Sequence, residues 1–589
     1  MVKPQQNPDL IMPAEAITLD GLFRERIRRN PDATAYRYYD AVAGCWQQKS
    51  WSDMGVLVSH WRAALQGEGL SPGDRVALML PNCCEWVQFE QAALGLGLVV
   101  VPLYVNDRPA NIAYILEETQ SRLLLLEDNE QWQSLETALK TLSHLNHVVV
   151  LGEVQGDDSR LLTLMDWLPD ASSELQHREA DAGDLATIVY TSGTVGRPKG
   201  VMLSHKNILW NAYAGQQCVD SLDADDVFLS FLPLSHMLER TAGYYIPMLV
   251  GAQVAYARSI PQLPEDLMQI KPTVLISVPR IYERIYARIQ SQLDSRPYYE
   301  KQLLNFAVYV GWKRFCYQQG AARWSPVILL WPVLRQVIAE KIMARMGGRV
   351  RVAICGGAPL PGGVARFFIG LGLPLLQGYG MTETSPVLNV NRPWDNDPYS
   401  VGAALDDVEE TLSQEGELLA RGPGIMLGYW QNEQATRDII DENGWLHTGD
   451  IARFEKDRVY ITGRLKDIIV LSNGEKVPPA DMELAISMDP LIEQVMVIGE
   501  GRPFLAALLV LDREEQQKSG TDNLGQDVLC QRISRQLTSF PGYAQIRRVA
   551  VIEGPWTVDN EMITPTLKLR RNRILECYRS EIDALYEGH

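Results

Sequence analysis

Cysteine is scarce in this chain. Eight of 589 residues are Cys, and none forms a Cys-x-x-Cys pair. That spacing excludes a zinc ribbon and a disulfide scaffold, and leaves buried or incidental thiols in a reducing cytosol. Long apolar runs are also missing. No stretch reaches the roughly 20 residues needed to cross a bilayer. The nearest, AALGLGLVVVPLY (92–104), reads as a helix end, a turn and a buried strand. The N-terminal stretch MVKPQQNPDLIMPAEAITL has no apolar core, so no signal peptide is evident. Positive charge is short as well. There are 55 Lys and Arg against 73 Asp and Glu, a formal net charge of −18. A surface of that sign argues against nonspecific nucleic-acid binding, yet leaves room for a local anion site. No internal repeat and no low-complexity linker break the chain.

What is present is an ordinary globular composition, 46% hydrophobic and 22% charged. A chain of this length implies two or more domains. Short apolar runs at 74–80, 98–104, 122–128 and 147–153 alternate with helical stretches such as EWVQFEQAALGLG (85–97). The same rhythm resumes at 226–234, 252–257, 273–279, 350–357 and 373–380. It predicts an α/β fold with parallel strands. From about 400 the texture shifts to short strands and tight turns. After Arg464 a smaller α+β pattern follows, with a helix at 478–489 and strands at 493–499 and 506–512. The division is therefore placed at 1–463 and 464–589.

Four motifs carry chemistry. YTSGTVGRPKG (190–200) follows an apolar strand and precedes a segment with a Ser204 helix cap. Strand, Gly/Ser/Thr loop and helix form an arrangement in which backbone N–H groups converge on phosphate. The spacing is wrong for a Walker loop. The motif is thus a phosphate loop of another kind or a flexible turn. GYGMTETSP (378–386) carries Thr382 and Glu383; the carboxylate suits Mg²⁺ held against phosphate oxygens, or Thr382 caps a helix. In GWLHTGDIA (444–452), Asp450 suits a ribose diol as a double acceptor, or is a turn residue. MITPTLKLRR (562–571) places Lys568 in a basic run, a catalytic cation or a solvated tail.

Together and in this order, these motifs resemble the adenylate-forming superfamily of acyl-CoA synthetases, firefly luciferase and peptide-synthetase adenylation domains. LPLSHMLERT (232–241) and SVPRIYERIY (277–286) look like the long-chain fatty-acid–CoA ligase subgroup. The resemblance covers roughly residues 15 to 580. It implies a large multi-sheet N-terminal domain, a small mobile C-terminal domain and an active site between them. It also implies two half-reactions: a fatty carboxylate takes AMP from ATP, and coenzyme A then takes the acyl group.

Site roles follow from the same resemblance. Thr191, Ser192, Gly193, Thr194, Gly196 and Lys199 would wrap the β- and γ-phosphates. Gly356, Gly357 and Ala358 would wall the adenine, with Tyr379 stacked on it. Thr382 would bind the α-phosphate, Glu383 would hold Mg²⁺, and Asp450 with Arg464 would hold the ribose. Lys568 would be the adenylation lysine, although Leu567 stands where the family often has Gly. Lys466 would be the hinge, and Gly474 would line the pantetheine channel. His236 and Glu239 lie near the acyl entrance in relatives, with a structural role the alternative. His205 and His447 read as structural.

Residues 300 to 351 run against the overall charge, with nine Lys or Arg against two Glu and seven interleaved Trp, Tyr or Phe. Such a stretch fits an interfacial helix on an anionic inner membrane, or a helical pair packed on the sheet. The expected setting is cytoplasmic, peripheral on the inner membrane. Two competing functions remain: an acyl-acyl-carrier-protein synthetase, and a non-catalytic fatty-acid-binding or uptake protein.

Overall fold

A computed structural model describes residues 7–169, 180–191, 197–219, 222–294, 296–518, 525–538, 540–564 and 568–587. Two large sheets dominate. One has eight strands and contains Arg75–Met79, Val99–Pro102, Leu123–Leu126 and His147–Val150, all parallel. The other has nine and contains Val227–Ser230, Gln253–Tyr256, Val274–Ser277, Val352–Cys355 and Leu375–Gly380, again parallel. These strands coincide with the apolar runs of the sequence. Both faces of each sheet are covered, so the strands read as unbroken Val, Leu and Ile rather than as an alternation.

Helices Leu19–Arg29, Trp51–Gly67, Cys84–Gly95 and His205–Gln217 fill the space between the sheets. Trp51, Trp61 and Trp86 are fully buried there. A π-helical turn, Glu239–Tyr245, runs through the same core. It is fixed by Arg240, whose guanidinium pairs with Glu90, while the Tyr245 hydroxyl donates to Glu90 at 2.8 Å. The outer side of the nine-stranded sheet carries helices Pro279–Asp294, Tyr298–Gln318 and Gly362–Gly370.

A four-stranded antiparallel sheet follows, Glu409–Leu412, Glu417–Arg421, Leu446–Glu455 and Arg458–Arg464. After it, the three strands Ile492–Ile498, Leu505–Leu511 and Ile546–Val551 form a small sheet with one core on each face. Both cores draw only on residues from Ile469 onward.

The helix expected beyond the Ser204 cap is present, and a strand that the sequence did not announce precedes it. The segment after the glycine loop is a strand, Lys199–Ser204, antiparallel to Leu185–Thr191. Helix His205–Gln217 begins only after it, capped by Ser204, whose hydroxyl accepts from Asn207 N–H. The described residues on either side of the loop therefore belong to two paired antiparallel strands, and the helix begins beyond the second of them. Val201, Met202 and Leu203 pair better on a pleated, buried sheet than on a helix, which explains the outcome.

Candidate active site

The site lies at the carboxyl ends of the nine-stranded sheet, where open α/β folds bind ligands. Strand Val352–Cys355 ends in Gly356, Gly357 and Ala358. The Gly356 N–H donates to Ser277 O at 3.1 Å. A Cβ at Gly356 would stand 3.3 Å from Leu238, and Gly357 has φ +82, so neither position favours a side chain. The neighbouring strand Leu375–Gly380 delivers Tyr379 to the same edge.

The Tyr379 hydroxyl donates to Asp450 Oδ2 at 2.6 Å, and Arg464 Nε donates to Asp450 Oδ1 at 3.0 Å. Asp450 and Arg464 face each other directly across two antiparallel strands, so sheet register sets their distance. Burial, then the Asp450 charge, pushes the Tyr379 phenol well above its usual pKa. Asp450 is itself buried and presents a fixed acceptor.

After Tyr379 the chain makes a short turn, Thr382–Thr384. Thr382 is half-buried and Glu383 is buried. The Tyr429 hydroxyl donates to Glu383 Oε1 at 2.8 Å, and Lys199 Nζ sits 4.9 Å from the centre of the Tyr429 ring. Tyr429 reaches this point because its strand pairs with Lys199–Ser204, Tyr429 opposite Val201. Thr191 and Lys199, the two stems of the glycine loop, are paired in register. Ser192, Gly193, Thr194 and Gly196 lie outside the described residues.

Lys568 comes from the far end of the chain. Its side chain is open to solvent yet set among protein charges in the cleft. Its pKa is lowered by desolvation and by Arg464, against the opposing pull of Asp450 and Glu383. The loop bearing it is held at its base, where Thr564 N–H donates to Lys568 O at 2.9 Å and Lys568 N–H donates to Thr564 Oγ1 at 3.1 Å.

His236 feels the same ammonium. Burial and Lys568 lower its pKa to about 4, so it is neutral near pH 7. Its Nδ1 accepts from Leu238 N–H at 3.2 Å, which leaves the ring proton on Nε2. Glu239, three residues on, is fully enclosed, and neither carboxyl oxygen has a partner of good geometry. Burial raises its pKa to about 8, offset only in part by the Ser230 hydroxyl.

Lys466 is exposed in the turn Leu465–Asp467. Gly474, φ +84, is exposed in the loop between strands Ile469–Val470 and Lys476–Val477. Both stand apart from the cluster of Tyr379, Glu383, Asp450, Arg464 and Lys568. His205 is the first residue of its helix, and its Nδ1 accepts from Leu19 N–H at 3.2 Å. The His447 imidazole lies 2.9 Å from Glu417, on the four-stranded sheet.

Sequence reasoning missed Tyr429, Glu118 and Thr241. Tyr429 holds Glu383. Glu118 accepts from Tyr114 at 2.6 Å and from Tyr190, and its carbonyl accepts from Trp430 Nε1 at 3.1 Å. Thr241 Oγ1 donates to Ser385 O at 3.0 Å, tying the π-helical turn to the Thr382–Thr384 loop. A Tyr-Trp pair after a Gly-rich strand was a usable signal for Tyr429, but nothing local marked the other two.

The cluster joins the paired strand residues Thr191 and Lys199, the glycines that end strand Val352–Cys355, the Asp450–Tyr379–Arg464 contacts and a lysine from the far end of the chain. Two family models bear on this arrangement. That for AMP-binding enzymes matches residues 23–430, and that for the AMP-binding enzyme C-terminal domain matches residues 466–589. The chain belongs to the AMP-binding enzyme family.

Relatives align over nearly the full length. The long-chain-fatty-acid–CoA ligase FadD15 of Mycobacterium bovis is 28% identical, over 95% of this chain and 96% of its own. The human long-chain-fatty-acid–CoA ligase ACSBG1 is 29% identical, over 92% of this chain and 82% of its own. The chloroplastic long-chain-fatty-acid–[acyl-carrier-protein] ligase AEE15 of Arabidopsis thaliana is 29% identical, over 88% and 80%. Among solved structures, the adenylation domain of a Mycobacterium chelonae carboxylate reductase superposes with a TM-score of 0.78 at 22% identity, over 98% of this chain and 94% of that one. The anthranilate–CoA ligase AuaEII gives 0.75 at 20%, over 99% and 100%. These two similarities establish the fold: a large multi-sheet α/β portion and a smaller C-terminal portion.

Proposed function

We propose that this enzyme activates a long-chain fatty acid with ATP and transfers it to coenzyme A. The observation that carries the reading is that Lys568, from the far end of the chain, lies close enough to Asp450, Glu383, Arg464 and His236 for their charges or titrations to be coupled. In the first half-reaction a carboxylate oxygen attacks the α-phosphorus. The bond to the bridging oxygen of the β-phosphate breaks, leaving acyl-AMP and pyrophosphate. In the second, the CoA sulfur attacks the acyl carbon, its proton goes to solvent, and the bond to AMP breaks.

The residues divide this work. The hairpin from Thr191 to Lys199 holds the leaving pyrophosphate through backbone N–H groups and the Lys199 ammonium. Asp450 and Arg464 hold the ribose; Tyr379, locked by Asp450, and the Gly356–Ala358 wall hold adenine. Thr382 donates to the α-phosphate. Lys568 lies between two anions that repel, substrate carboxylate and α-phosphate, and stabilises the charge that develops between them. Glu383 fits Mg²⁺: it is a buried carboxylate with one oxygen engaged by Tyr429, and Mg²⁺ is usually held by one or two carboxylates plus phosphate oxygens and water. Bound there, the ion neutralises phosphate charge. Neutral His236 and enclosed Glu239 border the acyl side.

We take the division between domains at Arg464, with Lys466 as the hinge and Gly474 admitting the pantetheine arm in the second state. Among the described residues no helix is long and apolar enough to cross a membrane. The eight free cysteines fit a reducing compartment, and we place the reaction in the cytoplasm. A carrier-protein acceptor is the second reading, favoured by the likeness to the Arabidopsis ligase.

ATP–pyrophosphate exchange with a panel of fatty acids, in the absence of CoA, tests the first half-reaction. Exchange that depends on a long-chain acid is expected, followed by thioester formation on adding CoA. Exchange with no acid in the panel would overturn the reading, and exchange with transfer only to carrier protein would select the second.

A further inference from the structure

Nine acidic side chains are buried among the described residues. Six of them pair with an arginine and Glu417 lies against His447, as a carboxylate removed from water requires. The other two have no cation. Glu239 is enclosed in the core without a hydrogen-bond partner. Glu383 stands at the active site, and among the described residues its carboxylate has one contact, the 2.8 Å hydrogen bond from the Tyr429 hydroxyl.

A cation shares this tyrosine. Lys199 Nζ lies 4.9 Å from the centre of the Tyr429 ring, within reach of a cation–π contact, and among the described residues it joins no ion pair. The ring thus has an ammonium over its face and a carboxylate at its hydroxyl, two charges that attract each other. Main-chain bonds gather all three residues. Met426 N–H donates to Glu383 O at 2.9 Å, Leu427 N–H to Met202 O at 2.9 Å and Trp430 N–H to Gly200 O at 2.7 Å. Residues 426–430 therefore run as one strap from the main chain of Glu383 to the strand that begins with Lys199. Tyr429 N–H donates in turn to Thr436 Oγ1 at 2.9 Å, and only 6% of the residue is exposed, so the ring has no room to withdraw.

We propose that Tyr429 is a positioning residue that keeps Lys199 and Glu383 apart, so that the ammonium stays available to the β- and γ-phosphates and the carboxylate to Mg²⁺. The inference rests on the roles proposed above for Lys199 and Glu383. A direct ion pair between them would satisfy both charges inside the protein, and nucleotide and metal would each have to break it. With the ring in place neither charge is spent on the other, and the hydroxyl fixes the carboxylate in one orientation.

Two variants separate the ring from the hydroxyl. Tyr429→Phe keeps the ring and removes the bond to Glu383. Manganese binding in the presence of a non-hydrolysable ATP analogue, read by electron paramagnetic resonance, should weaken about tenfold, the loss of a hydrogen bond to a charged group. ATP binding without metal, read by calorimetry, should stay native. Tyr429→Leu removes the ring. Lys199 then pairs with Glu383, and metal-free ATP binding should weaken about fivefold against that internal ion pair. Adding Glu383→Gln to Tyr429→Leu frees Lys199 again. Metal-free ATP binding should then recover about threefold or more beyond any gain that Glu383→Gln brings alone, a coupling that lost packing would not produce. Tyr429→Phe fills nearly the same volume, so its result stands even if the Leu variant unfolds. Glu383→Gln in the native background keeps the two readings distinct. If it leaves manganese binding untouched, Glu383 is no metal carboxylate, and this inference falls with that reading. If it weakens manganese binding while Tyr429→Phe does not, or if the double variant recovers no ATP binding, the role of Tyr429 alone is overturned.

Discussion

Lys568, desolvated among protein charges, and Glu239, enclosed in the core, are two ionisable groups displaced from their ordinary behaviour in ways that experiment can separate. Lys568 has a lowered pKa, with desolvation first and Arg464 second, so its ammonium is lost at a lower pH than a free lysine. A step that needs the cation therefore declines on the alkaline side at a pH below the usual lysine range. Pyrophosphate exchange measured against pH should show that limb. Lys568→Gln should remove it along with most of the rate, and Lys568→Arg should remove the limb while keeping more rate than Gln. A limb that persists in the Gln variant would exclude Lys568 as its source. Glu239 titrates in the opposite sense. Its folded pKa of about 8 lies above its unfolded value, so the native state is favoured below the unfolded pKa and loses that advantage as pH rises through 8. The shift is worth about 5 kcal/mol at full ionisation. Glu239→Gln carries no charge, so its melting temperature should overtake the native protein's between pH 5 and pH 9. Parallel melting curves across that range would show that Glu239 is solvated.

The elements that build the site were legible to different degrees. The parallel strands could be read because each is a short Val/Leu/Ile run closed by Gly, Pro or Asp, and burial on both faces requires that composition. The hairpin return at Lys199–Ser204 could not, since a short apolar run fits strand and helix equally and only its pairing with Leu185–Thr191 decides. Thr382, Glu383 and Asp450 were legible as motifs because their chemistry sits within a few residues. Their supports were not: Tyr429 meets Glu383 across 46 positions, and Glu118 meets Tyr190 across 72. Glu118 is the more consequential. It ends helix Pro109–Thr119 and accepts hydroxyls from Tyr114 and Tyr190, the latter one residue before the loop. Its carbonyl holds Trp430, whose N–H donates to Gly200 O at 2.7 Å on the other stem. Arg197 lies 5.2 Å from the Tyr114 ring. Glu118 thus holds one stem through its carboxylate and the other through its main-chain carbonyl by way of Trp430. Glu118→Ala should raise the KM for ATP by about tenfold or more, the loss of one or two charge-assisted hydrogen bonds, while the KM for the fatty acid stays near native. Glu118→Gln should lie between the two. An unchanged KM for ATP in the Ala variant would show that the hairpin holds its shape without Glu118.

At the scale of the molecule, the question is what keeps the small C-terminal portion turned so that Lys568 faces the site. The answer lies at the base of its loop. Residues 562–564 pair with residues 568–570, with Arg570 N–H donating to Met562 O at 2.8 Å and Ile563 bridged to Leu569. Glu561, immediately before this paired segment, pairs with Arg108 at the start of helix Pro109–Thr119, and Arg573 stands 3.8 Å from the same carboxylate. The pair spans 453 positions, so no sequence pattern announces it. Both partners are partly exposed, which limits the contact to about 0.5–1 kcal/mol. A shift of that size suits a contact that must be broken and remade if one site serves two half-reactions. Arg108→Glu should lower acid-dependent pyrophosphate exchange two- to fivefold, because it depopulates the orientation that presents Lys568. Thioester formation from preformed acyl-AMP should be unchanged or faster, because in the proposed cycle that step uses the other orientation. The exchanged pair, Arg108→Glu with Glu561→Arg, should recover most of the lost exchange. If both half-reactions fell together and the double variant recovered neither, Arg108 would be a local support of its helix, and the orientation of the small domain would rest on other contacts.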